Sequence, residues 1–161
     1  MKSPFEILSY GCVQVQIQVS DITDESMRVY LSEQTTIIEE GMASGPPYDK
    51  AVILIDASVE LIPSATVRRM QADWTNAHQH QLEKIVHAMG FVVPSALSRG
   101  AMTAVLWLSR PKWPMIAHAS LPKAVDWALL EAERMGGEVH ADLVAGKADT
   151  VVRDRAQRLA S

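Results

Sequence analysis

The histidines of one segment are the most obvious metal candidates in this chain. His80, Glu83 and His87 follow one another at i, i+3 and i+7, so a continuous helix would carry all three on one face, where they could clamp a cation; His78 falls off that face. The same face carries Arg69, Asp73 and Asn76 and lies opposite Leu82, Ile85, Val86 and Met89, the pattern of an ordinary solvent face. Established histidine sites pair the rings at i, i+4 or add cysteines, and neither occurs here, so no metal site is expected. Nucleophilic chemistry finds no better footing. Ser58, Ser64, Ser95, Ser98, Ser109 and Ser120 all lie outside a Gly-x-Ser-x-Gly elbow, and no catalytic residue or cofactor is expected. Two smaller constellations remain. Asp56 closes an apolar run, a position where α/β folds often place ligands and where a turn-forming aspartate is the plainer reading. Ser95 and Arg99 stand one turn apart at the start of a helical pattern, where they could hold an anion; the alternative is a capped helix whose arginine pairs with a neighbour.

The elements that would position these residues follow from periodicity. Phe5 to Ser9 is a short β-prone run and Tyr10-Gly11 a turn. From Cys12 to Val19, Val13, Val15, Ile17 and Val19 alternate with Gln14, Gln16 and Gln18, which predicts a strand with one face in the core and the other polar. Together these runs predict a hairpin. Asp21 or Thr23 caps a helix that continues through Ile38 and ends in Gly41 to Pro47. The run AVILID, Ala51 to Asp56, is apolar throughout, as in an interior strand covered on both faces. A long helix is predicted from Ser64 to about Ala88, a strand over Gly90 to Val93, a third helix from Ser95 to Leu108, a short strand in Pro114 to Ala119, and a last helix from Leu121 to Met135 ended by Gly136-Gly137. The expected order is β-β-α-β-α-β-α-β-α, an α/β fold with about four helices on a mixed, mostly parallel sheet that begins with a hairpin. Residues 1–137 form the expected domain. Residues 138–161 read as a partly helical or flexible tail, because three arginines and two aspartates leave Asp149 to Leu159 little apolar face.

Composition bounds the class. The chain has 161 residues, 48% of them apolar and 21% charged, with a net charge of −4 and a single cysteine. Those values exclude a disordered chain and a disulfide scaffold, and no apolar run reaches the roughly 18 residues of a membrane span. The acidic balance argues against nucleic acid as a partner. MKSPFEILSY lacks the apolar core of a secretory signal, so a cytoplasmic location is expected.

Two stretches carry a family resemblance. GFVVPSALSRGAMTAVLWLSRPKWPMIAHASLPKAVDWALLEAE, Gly90 to Glu133, with its Ala124-Val125-Asp126-Trp127-Ala128 pattern, and AVILIDASVELIPSATVRRM, Ala51 to Met70, resemble the STAS superfamily and in particular the SpoIIAA-like bacterial proteins, which are related in fold to CRAL-TRIO lipid-transfer domains. The resemblance covers about Pro4 to Gly136. It implies a non-catalytic regulatory or protein-interaction module in a bacterial cytoplasm. Asp56 matches the strand-ending acid of antagonist-type STAS domains and Ser64 falls nearest their phosphorylated serine, while Pro63 stands where the family has aspartate and Ala65-Thr66 where it has Ser-Gly. A plain helix cap is the other reading of Ser64. The CRAL-TRIO relationship implies an alternative function, the carriage or sensing of a small apolar or lipid-like ligand. An enzyme of unknown class, resting on Asp56, Ser95 and Arg99, is the third reading.

The third helix is apolar over more than one face. If Ala101, Ala104, Val105 and Leu108 point inward, Met102, Leu106 and Trp107, with Trp113 just beyond, exceed what one core stripe needs. They are expected to form an interaction surface for a protein partner or a second copy, to line an apolar groove, or to enter the core.

Overall fold

In a computed structural model, which describes residues 1–58, 63–109 and 112–161 and only the backbone of 101 and 104–109, five strands form one mixed sheet in the order β1-β2-β3-β4-β5. Strands β1 (Phe5–Tyr10) and β2 (Val13–Gln18) are antiparallel, and β3 (Ala51–Asp56), β4 (Val86–Val92) and β5 (Met115–His118) follow β2 in parallel. The hairpin turns at Gly11, whose φ of +72° favours glycine and whose place an added Cβ would lose by meeting the Glu138 carbonyl oxygen at 2.3 Å. Helices α1 (Asp24–Ala43), α2 (Ala65–Ile85), α3 (Ala96–Ser109), α4 (Leu121–Arg134) and α5 (Ala141–Ala160) complete the chain. The architecture is α/β with five helices. No helix among the described residues is long and apolar enough to cross a membrane.

Strand β3 is covered on both faces, as its continuous apolar run requires. Val52 and Leu54 are fully buried in a cluster with Val125 and Ala128 of α4 and Leu143 and Val151 of α5. Ile53 and Ile55 point the other way, towards α1 and α2, and are only half-buried. This asymmetry creates room on the α1/α2 side. The polar face of strand β2 is itself covered: Gln16 and Gln18 are buried beneath that same side, at 2% and 7% exposure. Helix α1 begins with a reciprocal cap, in which the Thr23 hydroxyl accepts from the Ser26 N–H and the Ser26 hydroxyl accepts from the Thr23 N–H.

Helix α2 ends at Ile85, three residues before the expected boundary. Val86 adopts extended geometry while its N–H still donates to the Leu82 carbonyl, and a bulged register then carries the chain into β4. Ile85, Val86 and Met89 fit a helical stripe well enough to hide this junction from periodicity. Gly90 in β4 lies under Trp127 of α4, and an added Cβ would stand 2.8 Å from both Leu54 Cδ2 and Trp127 Cζ3. The close approach of helix to sheet depends on that missing side chain.

The segment read as a tail is helix α5, and Leu143, Ala148 and Val151 enter the main core from it. A kink explains why their stripe escapes a periodicity search. Lys147 has φ of +48°, which shifts the helical phase between Leu143 and the residues beyond. The buried Thr150 hydroxyl donates to the Asp142 carbonyl at 2.8 Å, a contact that spans the kink. The Cys12 and His140 N–H groups donate to the carbonyls of Glu138 and Tyr10, which fixes the start of α5 against the hairpin.

Candidate functional site

A cavity of about 450 Å³ lies between the sheet and the helices α1 and α2. That volume falls within the roughly 300–1,000 Å³ of small-molecule sites. Ile53, Ile55, Met89 and Phe91 form its floor, the side chains of parallel strands that alternate away from α4. Trp74 of α2 and Trp113, just before β5, stand in its walls. Lys112 is the charged residue among those described as lining it.

A short polar chain crosses this apolar space. The Tyr30 hydroxyl donates to Gln16 Oε1 at 2.6 Å, and Gln16 Nε2 donates to Gln34 Oε1 at 3.4 Å. The chain stops there. Gln34 Nε2 is buried without a hydrogen-bond partner, and so is Trp113 Nε1. Leaving a buried donor unpaired costs about 1–3 kcal/mol. Trp74 differs, because its Nε1 donates to Thr35 Oγ1 at 2.9 Å. Burial pushes the Tyr30 phenol well above its usual range, so it remains a neutral donor at physiological pH. The cavity is mostly apolar, and Gln71, Thr75, Asn76 and Gln79 of α2 add polar groups to its lining.

A smaller hollow of about 280 Å³ lies between β1 and α5, and two of its polar groups answer one another. The Tyr10 hydroxyl donates to Asp154 Oδ2 at 2.9 Å, and Arg153 pairs with the other oxygen at 3.1 Å.

Most residues singled out from the sequence have structural partners instead. Asp56 is buried on the α4/α5 side, where Oδ1 accepts from the Ser58 hydroxyl and N–H and Oδ2 pairs with Arg155 of α5 at 3.2 Å. Ser64 caps α2 by accepting from the Val67 N–H at 3.1 Å, and its hydroxyl lies 3.3 Å from the Asp24 carboxylate. Ser95 accepts from the Ser98 N–H, while Arg99 donates to the carbonyls of Val93 and Pro94 at 2.9 and 2.6 Å. Arg99 thus closes the end of β4 with its own guanidinium. Met102 is half-buried. Leu106 and Trp107 lie outside the residues whose side chains are described. Trp113 of the expected surface is a cavity wall.

The histidine reading also changes. His87 stands on β4 rather than on the helix of His80 and Glu83, and its Nε2 lies 3.2 Å from Glu131 of α4, which Arg134 holds at 2.6 Å. Among the described residues, no three His, Cys, Asp or Glu side chains gather as a metal site would require. Gln16, Tyr30, Gln34 and Trp74 were not legible as site residues. The available signal was the row of three glutamines on β2, a polar face that an interior strand has to bury.

No protein-family model, curated protein or solved structure matches the chain.

Proposed function

We propose that the protein is a non-catalytic, STAS-like module of the SpoIIAA-like kind that binds a small, largely apolar ligand in the cavity between its sheet and helices α1 and α2. It acts as a carrier or as a ligand-responsive regulatory module. The observation that carries this reading is the cavity itself: about 450 Å³ of mostly apolar space on one face of a sheet whose other face is tightly packed. Apolar surface left open in a groove of that size is unusual in a small domain unless something covers it. The resemblance of Gly90 to Glu133 to proteins related to lipid-transfer domains points the same way. The absence of chemistry is part of the proposal, supported by the structural partners of Asp56, Ser64, Ser95 and Arg99.

Phenylnaphthylamine, an apolar dye that brightens on leaving water, tests the reading. It should bind saturably at a single site per chain and quench Trp74 and Trp113. The Ile55→Trp variant, which fills the floor of the cavity, should lose the site while keeping its circular dichroism and cooperative melting. Undiminished dye binding by a folded Ile55→Trp variant would remove the cavity as the binding site.

A further inference from the structure

We infer that the outer edge of β1 docks a second copy of this chain, whose own β1 pairs with it antiparallel across a two-fold axis at Ile7, joining the two five-stranded sheets into one. The surface lies at the hairpin end of the sheet and does not depend on the ligand cavity. β1 is the first strand in the sheet order and pairs on one side only. The register decides which of its backbone groups are free. The Val19 N–H donates to the Pro4 carbonyl, so Pro4, Glu6, Leu8 and Tyr10 turn their backbone groups towards β2, while Phe5, Ile7 and Ser9 turn theirs outward. The Phe5 N–H takes the Ser3 hydroxyl at 3.4 Å. Among the described residues, nothing bonds the outward groups of Ile7 and Ser9. Natural sheets blunt such an edge with proline, lysine or a bulge, and FEILSY has none of these.

The edge fits itself in one register. Outward residues must meet outward residues, so Ile7 faces the partner's Ile7 and Phe5 faces the partner's Ser9. A slip one way sets Glu6 opposite the partner's Glu6, like charges in direct apposition. A slip the other way drives Phe5 against the partner's Gly11, where Val139 already forms a bridge. Charge agrees with the central register. The hollow beside β1 is lined by Leu8, Ser9 and Tyr10 and, from α5, by Gln157 and Arg158. Successive strand residues point to opposite faces, so a hollow that touches three in a row runs along the edge. Leu8 and Tyr10 join the core on the α5 face, and alternation puts Glu6 on that face too. With the axis at Ile7, the partner's Glu6 stands opposite Leu8 and beside Arg158. Among the described residues neither Glu6 nor Arg158 makes an ion pair within one chain, whereas Asp154 already holds Arg153 and the Tyr10 hydroxyl. The two-fold axis makes the new pair twice.

Sedimentation of the full chain over a micromolar-to-millimolar series, with amide exchange at both ends of the range, tests this. The mass should rise from 17.7 kDa towards that of a dimer, and the Ile7 and Ser9 amides should exchange more slowly as it does. Ile7→Pro removes an outward N–H and leaves the bonds to β2, so the variant should stay folded and dimerise at least roughly tenfold more weakly. Arg158→Glu should weaken the dimer by about tenfold, and combining it with Glu6→Arg should restore the affinity. If Ile7→Pro does not fold, amide exchange and the charge reversal still decide. A chain that stays monomeric throughout overturns the proposal, and slower exchange of Ile7 and Ser9 on adding a strand-forming peptide would then give the edge to a foreign chain. A dimer that a folded Ile7→Pro forms equally well, or in which the Ile7 and Ser9 amides exchange at the monomer rate, overturns it in favour of another surface. A dimer that Arg158→Glu leaves unchanged overturns the register.

Discussion

Arg155, near the end of α5, pairs with Asp56 at the end of β3 across 3.2 Å, tying the last helix to the middle of the sheet. The carboxylate side chain is only 6% exposed and the guanidinium 33%, so the pair is asymmetrically buried. Removing the arginine leaves a charge that water reaches poorly. Arg155→Ala should therefore destabilise by roughly 1–3 kcal/mol, below the ~3–5 of a fully buried pair because Arg155 is partly solvated and Ser58 still serves Oδ1. The loss should be local as well as global, with residues 141–160 exchanging amide hydrogens faster. An unchanged melting temperature together with unchanged exchange in α5 would show that the pair does not hold the helix.

Gly90 sets how closely α4 approaches the sheet. The missing Cβ leaves 2.8 Å to Leu54 Cδ2 and to Trp127 Cζ3, well inside van der Waals contact. Gly90→Ala should cost about 1–3 kcal/mol in denaturant unfolding, the usual range for overpacking. Trp127→Leu, which opens space above the position, should recover part of that cost in the double variant. Additive losses would place the strain elsewhere.

Legibility of the fold followed the strength of its periods. β2 and β3 were clear because strict alternation and a continuous apolar run admit few alternatives. The end of α2 was not, because Ile85, Val86 and Met89 serve a helix and a strand equally until tertiary pairing with β3 decides. Helix α5 was hidden by the left-handed Lys147, since no sequence period survives a phase shift. The cavity was less legible still. It arises because α1 and α2 stand off from Ile53 and Ile55 while α4 closes on Val52 and Leu54, and the height of a helix above a sheet is written in no single residue. The glutamine row of β2, with Gln16 buried beneath the helices, marked the place.

Gly146 and Thr150 repair the kink in α5 together. The Thr150 hydroxyl reaches the Asp142 carbonyl only because Gly146 has no Cβ, which would stand 2.1 Å from Thr150 Oγ1. Thr150→Val keeps the shape and removes the hydrogen bond across the kink, at a cost of about 1–2 kcal/mol. Gly146→Ala should cost at least as much, since it displaces the hydroxyl and crowds the turn. Urea unfolding of both variants measures this. Neutral behaviour of Thr150→Val would mean that the Asp142 carbonyl finds water instead.

His118, at the end of β5, gives the fold an acid-sensitive contact. Its ring packs at a tilt against Trp127 with centroids 5.1 Å apart, and its Nε2 is buried without a partner. Burial holds its pKa below the ordinary histidine value of 6.5, so the folded state favours the neutral ring. Below about pH 6.5 the unfolded chain then binds more protons than the native one, and stability declines with acidification until the folded ring itself protonates. His118→Phe preserves the packing while removing both the titration and the orphaned nitrogen. The variant should be more stable than the wild type by on the order of 1 kcal/mol near neutrality and by more at pH 5, where the wild type bears the added cost. Chemical denaturation at pH 5, 6 and 7.5 measures the difference. A gap between the two proteins that stays constant from pH 7.5 to pH 5 would show that His118 is not the group responsible for acid sensitivity.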